Sequence, residues 1–272
     1  MSDYVELNRA NWDSRVSHHV QGYGLDAFAD PSHLSDVVRF DLELLGDVTG
    51  LDVVHLQCHI GTDTVSLARR DPRRVVGVDF SALALAAARE LSAAAATPVD
   101  FVECELYDTL GVLEPASFDL VYTGIGALCW IPDIRGWAEV VSGLLRPGGR
   151  LFLREGHPVL WALDDPRPDG LLALRYPYFE SAGVHFVEEH SYVEHDEPLA
   201  APESVSFNHG LGEIITALMD AGLHLSGLVE HRSVPWNPLG DAMVEVGAGE
   251  WALKEGPERL PLTYTLQAVK GD

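Results

Sequence analysis

The chain of 272 residues is poor in three things, and each scarcity excludes a class of protein. Cysteine occurs only at Cys58, Cys104 and Cys129. An odd, scattered set argues against a disulfide framework and fits a reducing, cytoplasmic setting. Basic residues number 18 against 42 acids, a formal net charge of −24. So acidic a chain repels phosphate backbones and anionic membrane faces, so neither nucleic acid nor membrane is expected as a partner. Long apolar runs are lacking as well. None reaches the ~18–20 residues of a membrane helix, and the start, MSDYVELNRANWD, has no basic segment followed by an apolar one. What is present is a 47% hydrophobic complement, enough for a sizeable core. The length suits one large α/β domain with an elaboration, or two small domains.

Residues 1–45 read as helical, with turn signals at Gly22, Gly24 and Pro31, and form an expected N-terminal helical cap. A regular rhythm then occupies the remaining domain, 46–272. Strands are predicted at 53–57, 75–79, 99–103, 117–124 and 150–155. Between them lie helical stretches at 61–70, at 81–96 with Ser81 as its N-cap, and at 134–145, ended by the turn RPGG. Strands alternating with helices at this spacing give right-handed βαβ units and a doubly wound, Rossmann-like parallel sheet. The rhythm breaks over 156–208, which is rich in proline and aromatics and allows one or two extra strands near 183–195. It resumes with a helix at 210–222 and strands at 224–231 and 260–270.

The segment HLQCHIGTDT (55–64) ends the first strand and opens a helix, which is where doubly wound sheets bind ligands. Free N–H groups at the helix start suit an anionic group. Eighteen residues beyond Gly61, Asp79 ends the second strand, placed to accept both hydrogen bonds of a ribose diol. Two histidines around a cysteine also raise a metal site. In a strand, however, His55 and Gln57 face one side and Cys58 the other. No second pair with zinc spacing is found either, so no metal is expected.

Taken in order, VVHLQCHIGTDT, VVGVDFS, FVECELYD and FDLVYTG, followed by LLRPGGRLFL, resemble a class I S-adenosylmethionine-dependent methyltransferase of the bacterial small-molecule kind. The match spans roughly residues 50–155. The resemblance implies a seven-stranded, mostly parallel sheet whose last strand is antiparallel. It also implies S-adenosyl-L-methionine as cofactor and S-adenosyl-L-homocysteine as product. In that family the first loop reads acid-x-Gly-x-Gly-x-Gly. Here His55 holds the acid position, Gln57 and His59 the first two glycine positions, and only Gly61 is kept. A subgroup of the family resembles this variant, but Gln57 and His59 must take backbone shapes that glycine takes more easily.

Carried over by position, the implied cofactor contacts are Gln57, Cys58, His59, Gly61 and Thr62 in the loop and Asp79 at the ribose. Glu105 and Leu106 fall at the adenine, and Gly124 and Ile125 beside the amino acid part. Phe80 either packs on adenine or fills core, and Trp130 is either pocket wall or core. Methyl transfer needs alignment, exclusion of water and sometimes a base. His157, after the fifth predicted strand, and His209, before the late helix, are the candidate bases. The 156–208 insert, with Trp161 and Tyr176, and the cap, with Trp12 and Tyr23, are expected to form a lid over the acceptor. The expected function is methyl transfer to oxygen or nitrogen of a small-molecule acceptor by a monomer or homodimer. The alternatives are a non-methylating enzyme that binds S-adenosylmethionine for cyclisation or decarboxylation, and a dinucleotide oxidoreductase, for which Gly61 alone is a poor pyrophosphate cradle.

Overall fold

A computed structural model describes residues 3–167, 169–193 and 195–271. The cap consists of α1 (Asp3–Gly22), a 3-10 turn (Leu25–Ala29) and α2 (Asp36–Leu45). Next come β1 (Asp52–Leu56), α3 (Thr62–Ala68), β2 (Arg74–Asp79), α4 (Ala82–Ala94) and β3 (Asp100–Glu103). They are followed by α5 (Thr109–Val112), β4 (Phe118–Thr123), α6 (Ile134–Leu144) and β5 (Leu145–Gly156). The remainder holds α7 (Pro158–Trp161), β6 (Val184–Val187), β7 (Glu203–Ser206), α8 (Leu211–Asp220) and β8 (Leu223–His231). The chain closes with β9 (Ser233–Val234), β10 (Met243–Gly247), β11 (Glu250–Leu253) and β12 (Thr263–Lys270).

The main sheet has seven strands in the order β3-β2-β1-β4-β5-β12-β8. The first five pair in parallel, and β12 runs antiparallel to β5 and β8. This is the doubly wound, mostly parallel arrangement expected. β1 is buried along its whole length and β2 along all but Arg74, each centred on paired valines, the mark of a central parallel strand. Helices α6 and α8 cover one face through Trp137, Val141 and Leu218. On the other face, α2 and α3 pack Val38 and Leu67 against Val53, Leu120 and Phe152. Ser81 caps α4 as expected, its Oγ accepting from the Ala84 N–H at 2.9 Å.

Two features differ from the sequence reading. The 156–208 insert is not the sole addition to the main sheet among the described residues. Residues 233–253 add a small antiparallel sheet, β10-β11-β9, and the insert itself holds the hairpin β6-β7. These strands are too short for period-2 alternation to stand out. The second feature is α1, which has no apolar stripe. Its inward face carries Asn8, Asn11, Arg15 and His19, all buried at helical spacing. This polar row clasps the 156–208 insert. Asn8 both donates to the Val205 carbonyl at 2.9 Å and accepts from the Val205 N–H at 2.8 Å, and Asn11 donates to the Ala201 carbonyl at 2.8 Å.

Candidate functional site

The carboxyl ends of the parallel strands, α1, the 156–208 insert and the segment after β9 line a cavity of about 1020 Å³. Its floor begins at HLQCHIG. Gln57 and His59 both adopt left-handed backbone, at φ 57° and 49°, where the family pattern has glycine. Gly61 follows at φ 79°, and a Cβ on it would stand 2.8 Å from the Ala88 Cβ, so this glycine has no substitute. Hydrogen bonds hold the strained turn. The Cys58 N–H donates to the Val78 carbonyl at 2.9 Å, and the His59 N–H to Asp79 Oδ2 at 2.8 Å. The three side chains that raised a metal site diverge. His55 turns to Thr64 Oγ1 at 2.9 Å, Cys58 packs beneath Gly77, and His59 Nε2 meets His19 Nδ1 at 2.7 Å.

Asp79 sits at the end of β2, nearly buried, with Oδ1 accepting from the Ser81 N–H at 2.9 Å. Burial lifts its carboxyl from 3.8 to about 6, against the pull of backbone N–H donors from Ser81 and His59. Each oxygen retains a lone pair beyond its backbone bond, the acceptor pair that a diol requires. At the end of β3, Glu105 is held by the Tyr107 N–H at 2.7 Å and Leu106 is buried. Phe80 lies 5.6 Å from the Arg9 guanidinium. All of these except Ser81, Tyr107 and Arg9 line the cavity, together with Gln57, Cys58, Thr62, Gly124 and Ile125. Gly61 shapes the loop from beneath.

The loop after β4 is fixed by a residue that sequence reading passed over. Glu155 is buried and its carboxylate accepts from the N–H groups of Gly126, Ala127, Leu128 and Gly156, at 2.6–2.8 Å. The Ala127 carbonyl in turn accepts from Gln57 Nε2 at 3.0 Å, tying the β4 loop to the β1 loop.

Above this floor lie Trp12, Tyr23, Trp130, Trp161 and Tyr176, all lining the cavity. Trp12 packs edge-on against His59 at 4.8 Å and Trp130 at 5.2 Å. Trp161 stacks on Trp236 at 5.6 Å. Trp236 sits in the bend just after β9, and nothing in the chain's pattern marked it. Arg15, which is buried, is the sole lysine or arginine lining the cavity among the described residues, against acids that include Asp36, Asp63, Asp164 and Glu188.

The two candidate bases are not brought to the cavity. His157 caps α7, its Nδ1 accepting from the Val159 N–H at 3.1 Å while Nε2 pairs with Glu230 at 3.0 Å. His209 points its Nε2 to the Ile131 carbonyl at 2.8 Å and its Nδ1 toward Glu180 at 3.0 Å. Both are spent on fixing turns. The expectation failed because chain adjacency to a strand end does not set where a side chain points once the strand has stopped.

Residues 54–151 match a family described as Methyltransferase domain. A demethylmenaquinone methyltransferase of Lactococcus lactis subsp. lactis (strain IL1403) is 32% identical over 123 residues. That stretch is 44% of this chain and 48% of the relative, so the chain spans about half the length of the curated relative it matches. Among solved structures, a protein of Listeria monocytogenes assigned to the S-adenosylmethionine dependent methyltransferases superposes with a TM-score of 0.63 at 17% identity. It covers 87% of this chain and 97% of its own. An S-adenosylmethionine dependent methyltransferase from Mesorhizobium loti gives 0.59 at 22% identity, covering 91% and 100%.

Proposed function

We propose that the chain moves a methyl group from S-adenosylmethionine to a small-molecule acceptor: residues 54–151 match a methyltransferase family, and the seven-stranded sheet has the fold of solved S-adenosylmethionine-dependent methyltransferases. The observation that carries this reading is the convergence on one cavity of Asp79, Glu105, Gly124 and the strained Gln57–His59 turn. The residues fit the cofactor. Asp79 would offer two acceptor oxygens to the ribose diol, Glu105 would accept from the adenine amine beside Leu106, and Gly124 would let the cofactor approach the backbone closely. When bound, the cofactor supplies an activated methyl on a sulfonium.

The protein's own work is charge and exclusion. An acid-lined cavity with one arginine favours a cation and disfavours an anionic acceptor. Loss of the methyl removes the sulfonium charge, so the same field holds the product less tightly. Trp12, Trp130, Trp161 and Trp236 supply flat apolar walls that keep water out and suit a planar, uncharged acceptor with a nucleophilic oxygen or nitrogen. The test is incubation with methyl-labelled S-adenosylmethionine and a panel of neutral aromatic amines and phenols. Label in the acceptor with matching S-adenosylhomocysteine supports the reading. Consumption of an acceptor without S-adenosylhomocysteine would point to the non-methylating alternative.

A further inference from the structure

We propose that Asp63 is the counter-charge for the ammonium of the cofactor's amino acid end, replacing the carboxylate that the loop lacks at His55. The inference rests on the cofactor reading above. The cofactor's amino acid end carries an ammonium that cannot enter a closed cavity without an anionic or carbonyl partner. The strand-end position beneath it is His55. Burial holds that ring neutral, its Nδ1 is committed to Thr64, and its face packs edge-on against Tyr122 at 5.0 Å. It offers no negative charge.

Asp63 does. It lines the cavity from the first turn of α3. A Cβ built on Gly124 would stand 3.3 Å from His55 Nε2 and 3.5 Å from Asp63 Oδ2. The carboxylate therefore converges with the imidazole on the end of β4, the place that approaches the amino acid part. Asp63 accepts a hydrogen bond from Ser35 but has no ion-pair partner among the described residues. The buried Arg154, whose charge acts on it, is engaged by Glu250 at 2.8 Å and Asp41 at 3.8 Å. Burial raises the Asp63 carboxyl, the state expected of an acid waiting for a cation. A second acceptor stands in the same wall: Gln57 Oε1 is buried without a partner, while its Nε2 is used on Ala127. One charged and one neutral acceptor, with a glycine between strand end and cavity, suit a donor with three N–H bonds.

The experiment is calorimetric titration of the full chain with three probes: S-adenosylhomocysteine, its deamino analogue, and methylthioadenosine, which lacks the amino acid half. The wild-type chain should prefer S-adenosylhomocysteine over the deamino analogue by about tenfold or more, the size of a lost charge-assisted hydrogen bond. Asp63→Asn should erase most of that preference and leave methylthioadenosine binding unchanged, which also reports that the variant is folded. A preference that survives in Asp63→Asn overturns the assignment. So does absence of the preference in the wild-type chain, which needs no variant. If the wild-type chain binds none of the three probes, the cofactor reading itself has failed.

Discussion

Asp79 is the residue on which the cofactor reading turns, and its burial gives that reading a pH signature. The carboxyl is raised from 3.8 to about 6. A raised group binds its proton more tightly in the folded chain. Its contribution to folding is complete below 3.8 and is lost as pH rises through about 6. Ligand binding has the opposite sign, because only the ionised carboxylate accepts both diol hydrogens. Affinity for S-adenosylhomocysteine should therefore fall as pH is lowered from 7.5 through about 6, by titration at matched ionic strength. Asp79→Ala should weaken binding at least about tenfold, since charge-assisted hydrogen bonds are worth roughly 1.5–3 kcal/mol. His157 leads to a different expectation. As the cap of α7 and partner of Glu230, it is spent on local structure. His157→Ala should lower thermal stability by about 1 kcal/mol and leave the rate of methyl transfer from bound cofactor within about twofold. A collapse of kcat with stability intact would return it to the chemistry.

At the scale of elements, the site depends on how two loops and one helix are held. The loop after β4 hangs on Glu155. Glu155→Ala would leave buried N–H donors of Ala127 and Leu128 without acceptors, at about 1–3 kcal/mol each. A denaturant melt should show a loss of several kcal/mol, well beyond an ordinary surface change. The strand-helix rhythm, the acid ending β2 and the turn from β1 into α3 were all legible in the sequence, because apolar runs and turn residues report backbone periodicity directly. Glu155 was not. In REGHP the histidine drew attention, yet the carboxylate turns inward from the end of β5 while His157 begins a cap. The role of α1 was only half legible. Trp12 and Tyr23 pointed to the cavity, but a buried row of Asn8, Asn11, Arg15 and His19 looks like a solvated face to any hydrophobic pattern. The small sheet at 233–253 was hidden for another reason: its strands are short and rely on Arg154 reaching Glu250 from β5. That contact joins residues far apart in the chain.

The whole molecule carries a charge of −24, and self-repulsion of that size costs stability at low salt. Its melting temperature should rise as sodium chloride is increased from low to physiological ionic strength, where the Debye length shrinks to ≈ 8 Å. A melting temperature that falls with salt would mean that ion pairs such as Arg154 with Glu250 outweigh the repulsion. Acid acts through the histidines at the α1 contact. Burial holds His19 at about 2 and His59 at about 3, below the ordinary 6.5. Their contribution is present above 6.5 and is lost as pH falls. Because the two rings meet across α1 and the turn after β1, that contact should weaken progressively as pH falls from 6.5 towards about 3, read by the fluorescence of tryptophans that include Trp12.

The most direct test of the central claim is calorimetric titration of the purified chain with S-adenosylhomocysteine, run with and without a chelator. Saturable binding that ignores the chelator, and that Asp79→Ala weakens at least about tenfold, is the predicted result. No binding by the wild-type chain, or binding that the chelator abolishes, would contradict it and make the HLQCHIG turn something other than a cofactor loop.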